Sequence, residues 1–109
     1  MAEKHDRMVA QYRAQLVRRG YRINGRSPFV DYRPDIFATK GSSDLFVEVE
    51  IEVTLNSPHT LEQLEKMYSY IAHKGHCRGV LLVPRGVAGE ARFLIDALFG
   101  DRHICVKSS

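Results

Sequence analysis

In the segment Phe46-Val47-Glu48-Val49-Glu50-Ile51-Glu52-Val53, valines and isoleucine alternate strictly with glutamates from Val47 onward, and strict alternation is the period of a strand and not of a helix. Read as one strand running to about Leu55, it places Val47, Val49, Ile51 and Val53 on one face and Glu48, Glu50 and Glu52 on the other. Upstream, Phe29 to Ala38 reads as extended, with Pro34 marking an edge or an irregularity. Between the two lies the turn-like stretch Thr39-Lys40-Gly41-Ser42-Ser43-Asp44. A hairpin folded about Gly41-Ser42 sets Asp35 directly opposite Glu48, with Cβ atoms roughly 4.5–5.5 Å apart.

Like charges placed opposite each other on a sheet repel, and the neighbouring glutamates add to that cost. A divalent cation reverses the sign. Mg²⁺ takes hard oxygen ligands, typically one or two carboxylates with waters and phosphate oxygens, and Asp35 with Glu48 supplies such a pair. The other reading of the same alternation is a half-buried strand whose glutamates face water.

Around this hairpin the chain alternates between helical and extended patterns. Met8, Val9, Tyr12, Leu16 and Val17 recur at helical spacing from about Lys4 to Arg19, and Gly20 stops that helix. Tyr21 to Asn24 is a short strand, followed by turn residues through Ser27-Pro28. After Asn56-Ser57-Pro58, a second helix carries Leu61, Leu64, Met67, Tyr68 and Ile71 and ends near Gly75. Gly79 to Pro84 is the continuous apolar run of a strand buried on both faces. A third helix holds Ala91, Leu94, Ile95 and Leu98, and Arg102 to Val106 closes as a strand. The order α-β-β-β-α-β-α-β predicts an α/β fold of the α+β kind, a mixed sheet flanked by helices with a right-handed crossover.

The 109 residues fit one domain, 1–109, and 44% hydrophobic with 27% charged residues is an ordinary globular balance. No apolar run spans a bilayer and the first residues lack a signal-peptide core, so the cytoplasm is the default location. Cys77 and Cys105 sit among apolar neighbours and read as buried free thiols. His73-Lys74-Gly75-His76-Cys77 lacks the second ligand cluster a zinc site needs. The net charge of +3 permits a polyanionic partner, and Arg13, Arg18, Arg19, Arg22, Arg26 and Arg33 crowd the first third of the chain.

With a Pro34-Asp35 on one strand, Glu48-x-Glu50 on the next, a leading helix and a following helix and buried strand, the chain resembles the PD-(D/E)XK nuclease superfamily, the restriction-endonuclease-like fold. The resemblance covers nearly the whole sequence. It implies a Mg²⁺-dependent deoxyribonuclease, with Mn²⁺ able to substitute, in which Asp35, Glu48, Glu50 and the Val49 carbonyl hold the metal. Glu50 stands where the family usually has lysine; Lys66 is then the candidate for that role, and Gln63, on one face of the second helix with Lys66 and Tyr70, is a further candidate site residue that resembles the exonuclease branch of the superfamily. Gln63 equally fits a capping box with Thr60. Glu3 and Asp6 lie where relatives sometimes offer a further acid, and Arg26, Arg33 and Lys40 are candidates for gripping the DNA backbone. A core this small implies a homodimer or a larger complex that supplies specificity. The same residues also resemble the endonuclease-like domains of plasmid replication-relaxation proteins, where an acid likewise replaces the lysine. That resemblance implies a non-catalytic accessory factor of a mobile element, binding DNA or a protein partner.

Overall fold

The computed structural model describes residues 3–100 and 103–109. It is a mixed α/β fold, with elements in the order α1 (Glu3–Arg18), β1 (Arg22–Ile23), β2 (Ile36–Lys40), β3 (Ser43–Val49), α2 (Pro58–Ile71), β4 (Cys77–Val83), a single 3-10 turn (Arg85–Val87), α3 (Ala88–Phe99) and β5 (Ile104–Ser108). The five strands form one sheet in the order β1-β2-β3-β4-β5. The first two pairings are antiparallel; β3 with β4 and β4 with β5 are parallel. No helix among the described residues is long and apolar enough to cross a membrane.

The period-2 pattern of the strands sorts their side chains into two cores. Ile36, Ala38, Leu45, Val47, Val49, Val80 and Leu82 join Met8, Tyr12 and Leu16 of α1 on one face. On the other, Phe46, Leu81, Val83 and Ile104 meet Leu64, Met67 and Ile71 of α2 and Ala91 and Ile95 of α3. β4 is therefore apolar on both faces because helices cover both. The apolar stripe of α1 is narrower than its sequence suggests, since Val17 is exposed.

β2 and β3 meet through a two-residue turn, Lys40 pairing with Ser43, and Gly41 supplies the left-handed conformation with φ +61°. Ile36 pairs with Val47, so Asp35, just before β2, falls opposite Glu48. The extended segment before β2 is shorter as a strand than Phe29 to Ala38, beginning only at Ile36.

The glutamate strand is also shorter than its alternation predicts. β3 ends at Val49 instead of about Leu55, because its neighbours stop there: Pro34 has no N–H to donate on the β2 side, and on β4 the pairing reaches its last bond at Glu50 N–H to the Leu82 carbonyl, just before Pro84. The chain then turns, with the Thr54 and Leu55 amides both donating to the Ile51 carbonyl and the Ile51 amide donating to Thr54 Oγ1. Leu55 is thereby buried, whereas Val53 is 83% exposed and Glu52 leaves the acidic row to pair with Lys4 at 2.8 Å. Arg102, expected to open the last strand, lies outside the described residues, and β5 starts at Ile104. Cys77 is half-buried, but Cys105 is exposed and not a buried thiol, because β5 is the edge of the sheet.

Candidate metal centre

Three carboxylates converge where the β2–β3 hairpin ends. Asp35, Glu48 and Glu50 each offer a carboxylate oxygen, and these oxygens all lie within 4.8 Å of one another. Glu48 and Glu50 share a face by strand alternation and Asp35 joins them by hairpin register, so the cluster follows from the period-2 pattern and the position of the turn. Among the described residues, no other group of His, Cys, Asp and Glu is gathered in this way, and the His73–Cys77 stretch forms none.

Burial makes the cluster electrostatically costly. Glu48 is 3% exposed and Glu50 9%. Burial, with the nearby Asp35 charge, pushes the Glu48 carboxyl up to about 8, even though its Oε2 accepts a 2.6 Å hydrogen bond from the Tyr32 hydroxyl. Tyr32 is itself buried beside that charge, which holds its phenol well above the ordinary range. Glu50 is raised as well, mainly by burial.

Glu50 is fixed from the start of α2. Ser57 caps that helix, its Oγ accepting from the Thr60 amide at 3.2 Å, and Pro58 occupies the first turn. The cap is therefore Ser57 and not Thr60, which removes the capping-box role for Gln63. Thr60 Oγ1 lies 2.6 Å from the Thr54 carbonyl and 2.9 Å from Glu50 Oε1. Its single hydrogen serves one of these at a time, and only Glu50 can bring a proton of its own. The α2 N-terminus also favours negative charge at this end of the helix.

From the opposite face, the start of α1 contributes His5. Its Nε2 lies 3.2 Å from Asp35 Oδ2 and its Nδ1 lies 3.1 Å from Asp6 Oδ1. Burial acts to lower the His5 pKa, but the contacts with Asp6 and Asp35 outweigh it and the net shift is upward. The Val49 amide donates to the same Asp35 Oδ2 at 2.8 Å, so the backbone of that residue braces the cluster.

Other expected side chains lie elsewhere. Lys66 donates to the Asp31 carbonyl at 3.0 Å and pairs with Glu62, while the Tyr70 hydroxyl binds the Asp31 carboxylate. Together with Phe29 stacked on Tyr70 at 3.8 Å, these contacts fasten the loop before β2 onto α2. Gln63 is half-buried on α2 and is not among the hydrogen-bond partners of the three carboxylates. Lys40 sits at the far end of β2 over the Tyr21 ring, about 17 Å along the strand from Asp35. Arg26 and Arg33, with Arg13 of α1, line a groove of about 670 Å³ that has Asp35 in its wall. Glu3 is exposed, and the acid that α1 does supply, Asp6, meets His5.

The sequence reading missed His5, Tyr32 and Thr60. His5 carried a signal, since it falls at helical spacing with Val9 and Tyr12; Tyr32 lies in a loop without periodicity and carried none. The donor set is all oxygen and closely gathered, which fits a hard divalent cation such as Mg²⁺ or Mn²⁺, and the charge of such an ion would relieve the repulsion that raises Glu48. Comparison with protein-family models, with curated proteins and with solved structures finds no match to this chain.

Proposed function

We propose that the chain is a Mg²⁺-dependent nuclease of the PD-(D/E)XK type that hydrolyses phosphodiester bonds in DNA. The observation that carries this reading is the convergence of Asp35, Glu48 and Glu50 within 4.8 Å, with Glu48 buried. An ungathered, water-facing row of glutamates would have no reason to hold a carboxyl that far above its ordinary range. Asp35, Glu48 and Glu50 would hold the ion, with the Val49 carbonyl as a further candidate. When bound, it would activate water and neutralise charge on phosphorus-bound oxygens.

The chain's own residues divide the remaining work. Arg26 and Arg33 fix the phosphate backbone along the groove that reaches Asp35. Glu50, held in place by its hydrogen bond to Thr60, is the third carboxylate placed to hold the ion. Specificity would come from a second copy or a partner. Cleavage of plasmid and linear DNA with Mg²⁺, Mn²⁺ or EDTA tests the reading. Metal-dependent cutting that Asp35→Ala abolishes supports it, and no cutting by folded protein with either metal refutes it.

One observation favours a second reading, a non-catalytic accessory protein of a mobile element with the same fold. The lysine expected near the acids is absent from the cluster, because Lys66 is spent on Asp31. DNA binding that is equal in Mg²⁺ and EDTA, without cleavage, would select that reading.

A further inference from the structure

The hydrogen bonds around Asp35 make its two carboxylate oxygens unequal. Oδ2 receives both the Val49 amide and His5 Nε2, whereas neither of these donors is on Oδ1. A carboxylate with one oxygen held by two donors from different elements cannot rotate freely. We infer that His5 is the positioning residue of the acidic cluster, locking Asp35 so that Oδ1 is presented beside Glu48 and Glu50 as the ligand for a divalent cation. This inference rests on the metal-centre reading above.

The contact geometry around His5 supports the assignment. His5 Nε2 meets Asp35 Oδ2 at 3.2 Å and Nδ1 meets Asp6 Oδ1 at 3.1 Å, so the ring orientation is fixed at both ends. The side chains grow more exposed outward along this chain, with Asp35 26%, His5 30% and Asp6 73% accessible. Among the described residues, His5 is the basic side chain hydrogen-bonded to the cluster, whereas Lys4 is paired with Glu52 and Lys66 with Asp31 and Glu62. Its place on α1, thirty residues before Asp35, means that the helix covering one face of the sheet steers a carboxylate on the other. Partners that orient ligands in this way typically contribute 10–100-fold to metal affinity.

The test is titration of Mn²⁺ into the full chain by calorimetry, for wild type, His5→Ala and His5→Gln, with amide exchange of metal-free protein measured alongside. A glutamine amide can place an N–H near the position of Nε2, so it should restore the bond to Asp35 without the imidazole ring. The expected result is Mn²⁺ affinity about 10–100-fold weaker in His5→Ala and within about threefold of wild type in His5→Gln. The Val49 amide should also exchange faster in His5→Ala than in the other two proteins. Equal Mn²⁺ affinity in wild type and His5→Ala, with Val49 exchange unchanged, overturns the inference and leaves the metal-centre reading intact. Failure of wild type to bind Mn²⁺ overturns both.

Discussion

Replacing Glu48 with glutamine should stabilise the metal-free protein, and the size of the gain should depend on pH. In the folded chain Glu48 holds its proton up to about 8, whereas the unfolded chain releases it near 4.5. Between those values the folded state binds more protons, so stability falls as pH rises through the window. Below about 4.5 the penalty is absent; above about 8 it is complete, at roughly 5 kcal/mol for a shift of this size. At pH 7 it is about 3 kcal/mol. Glutamine is uncharged in both states and still accepts from the Tyr32 hydroxyl, so it avoids the penalty and keeps the 2.6 Å hydrogen bond. Urea unfolding in EDTA at pH 4, 7 and 9 measures the difference between Glu48→Gln and wild type. It should be near zero at pH 4, about 2–4 kcal/mol in favour of the variant at pH 7, and larger at pH 9. A difference that does not change with pH, or a variant less stable throughout, refutes the reasoning. The same variant should lose the gain of about 2.7 kcal/mol that wild type receives from a metal at a hundred times its Kd.

Other substitutions test the supports of the site. Tyr32→Phe leaves Glu48 Oε2 buried without its donor and should cost about 1–3 kcal/mol in urea unfolding. Ser57→Ala removes the cap of α2 and should cost about 1 kcal/mol, read in the same assay. Gly79→Ala would bring a Cβ within 2.6 Å of Met67 Sδ and 3.0 Å of Ile71 Cδ1 in a filled core, and should cost about 1–3 kcal/mol by thermal unfolding. Arg26→Ala with Arg33→Ala should weaken DNA binding and lower the slope of log affinity against log salt by about 2, whereas Lys40→Ala should leave both nearly unchanged.

The parts of the fold that depend on local pattern were legible in the sequence. Helical spacing in Met8, Tyr12 and Leu16, alternation in Val47, Glu48 and Val49, and the unbroken run from Val80 to Val83 each name an element and the face it buries. The turn at Gly41-Ser42 then fixes which residue faces which, and it brings Asp35 to Glu48. Where strands end was not legible, because β3 stops where Pro34 and Pro84 end the pairing on its neighbours, residues distant in sequence. The same holds for Lys66. Its spacing with Gln63 and Tyr70 gave a shared helix face, but the loop that lies against that face, carrying Asp31 and Phe29, is a matter of tertiary packing. His5 and Thr60 reach the cluster from two helices on opposite faces of the sheet, and no local pattern links either to its carboxylate. Exposure of Cys105 likewise depends on β5 lying at the sheet's edge.

The most direct test of the acidic cluster as a metal centre is an anomalous difference map from crystals grown with Mn²⁺. The account predicts a peak at bonding distance from oxygens of Asp35 and Glu48, with Glu50 beside it. A map with no peak there, in crystals of a chain folded as described, would contradict it.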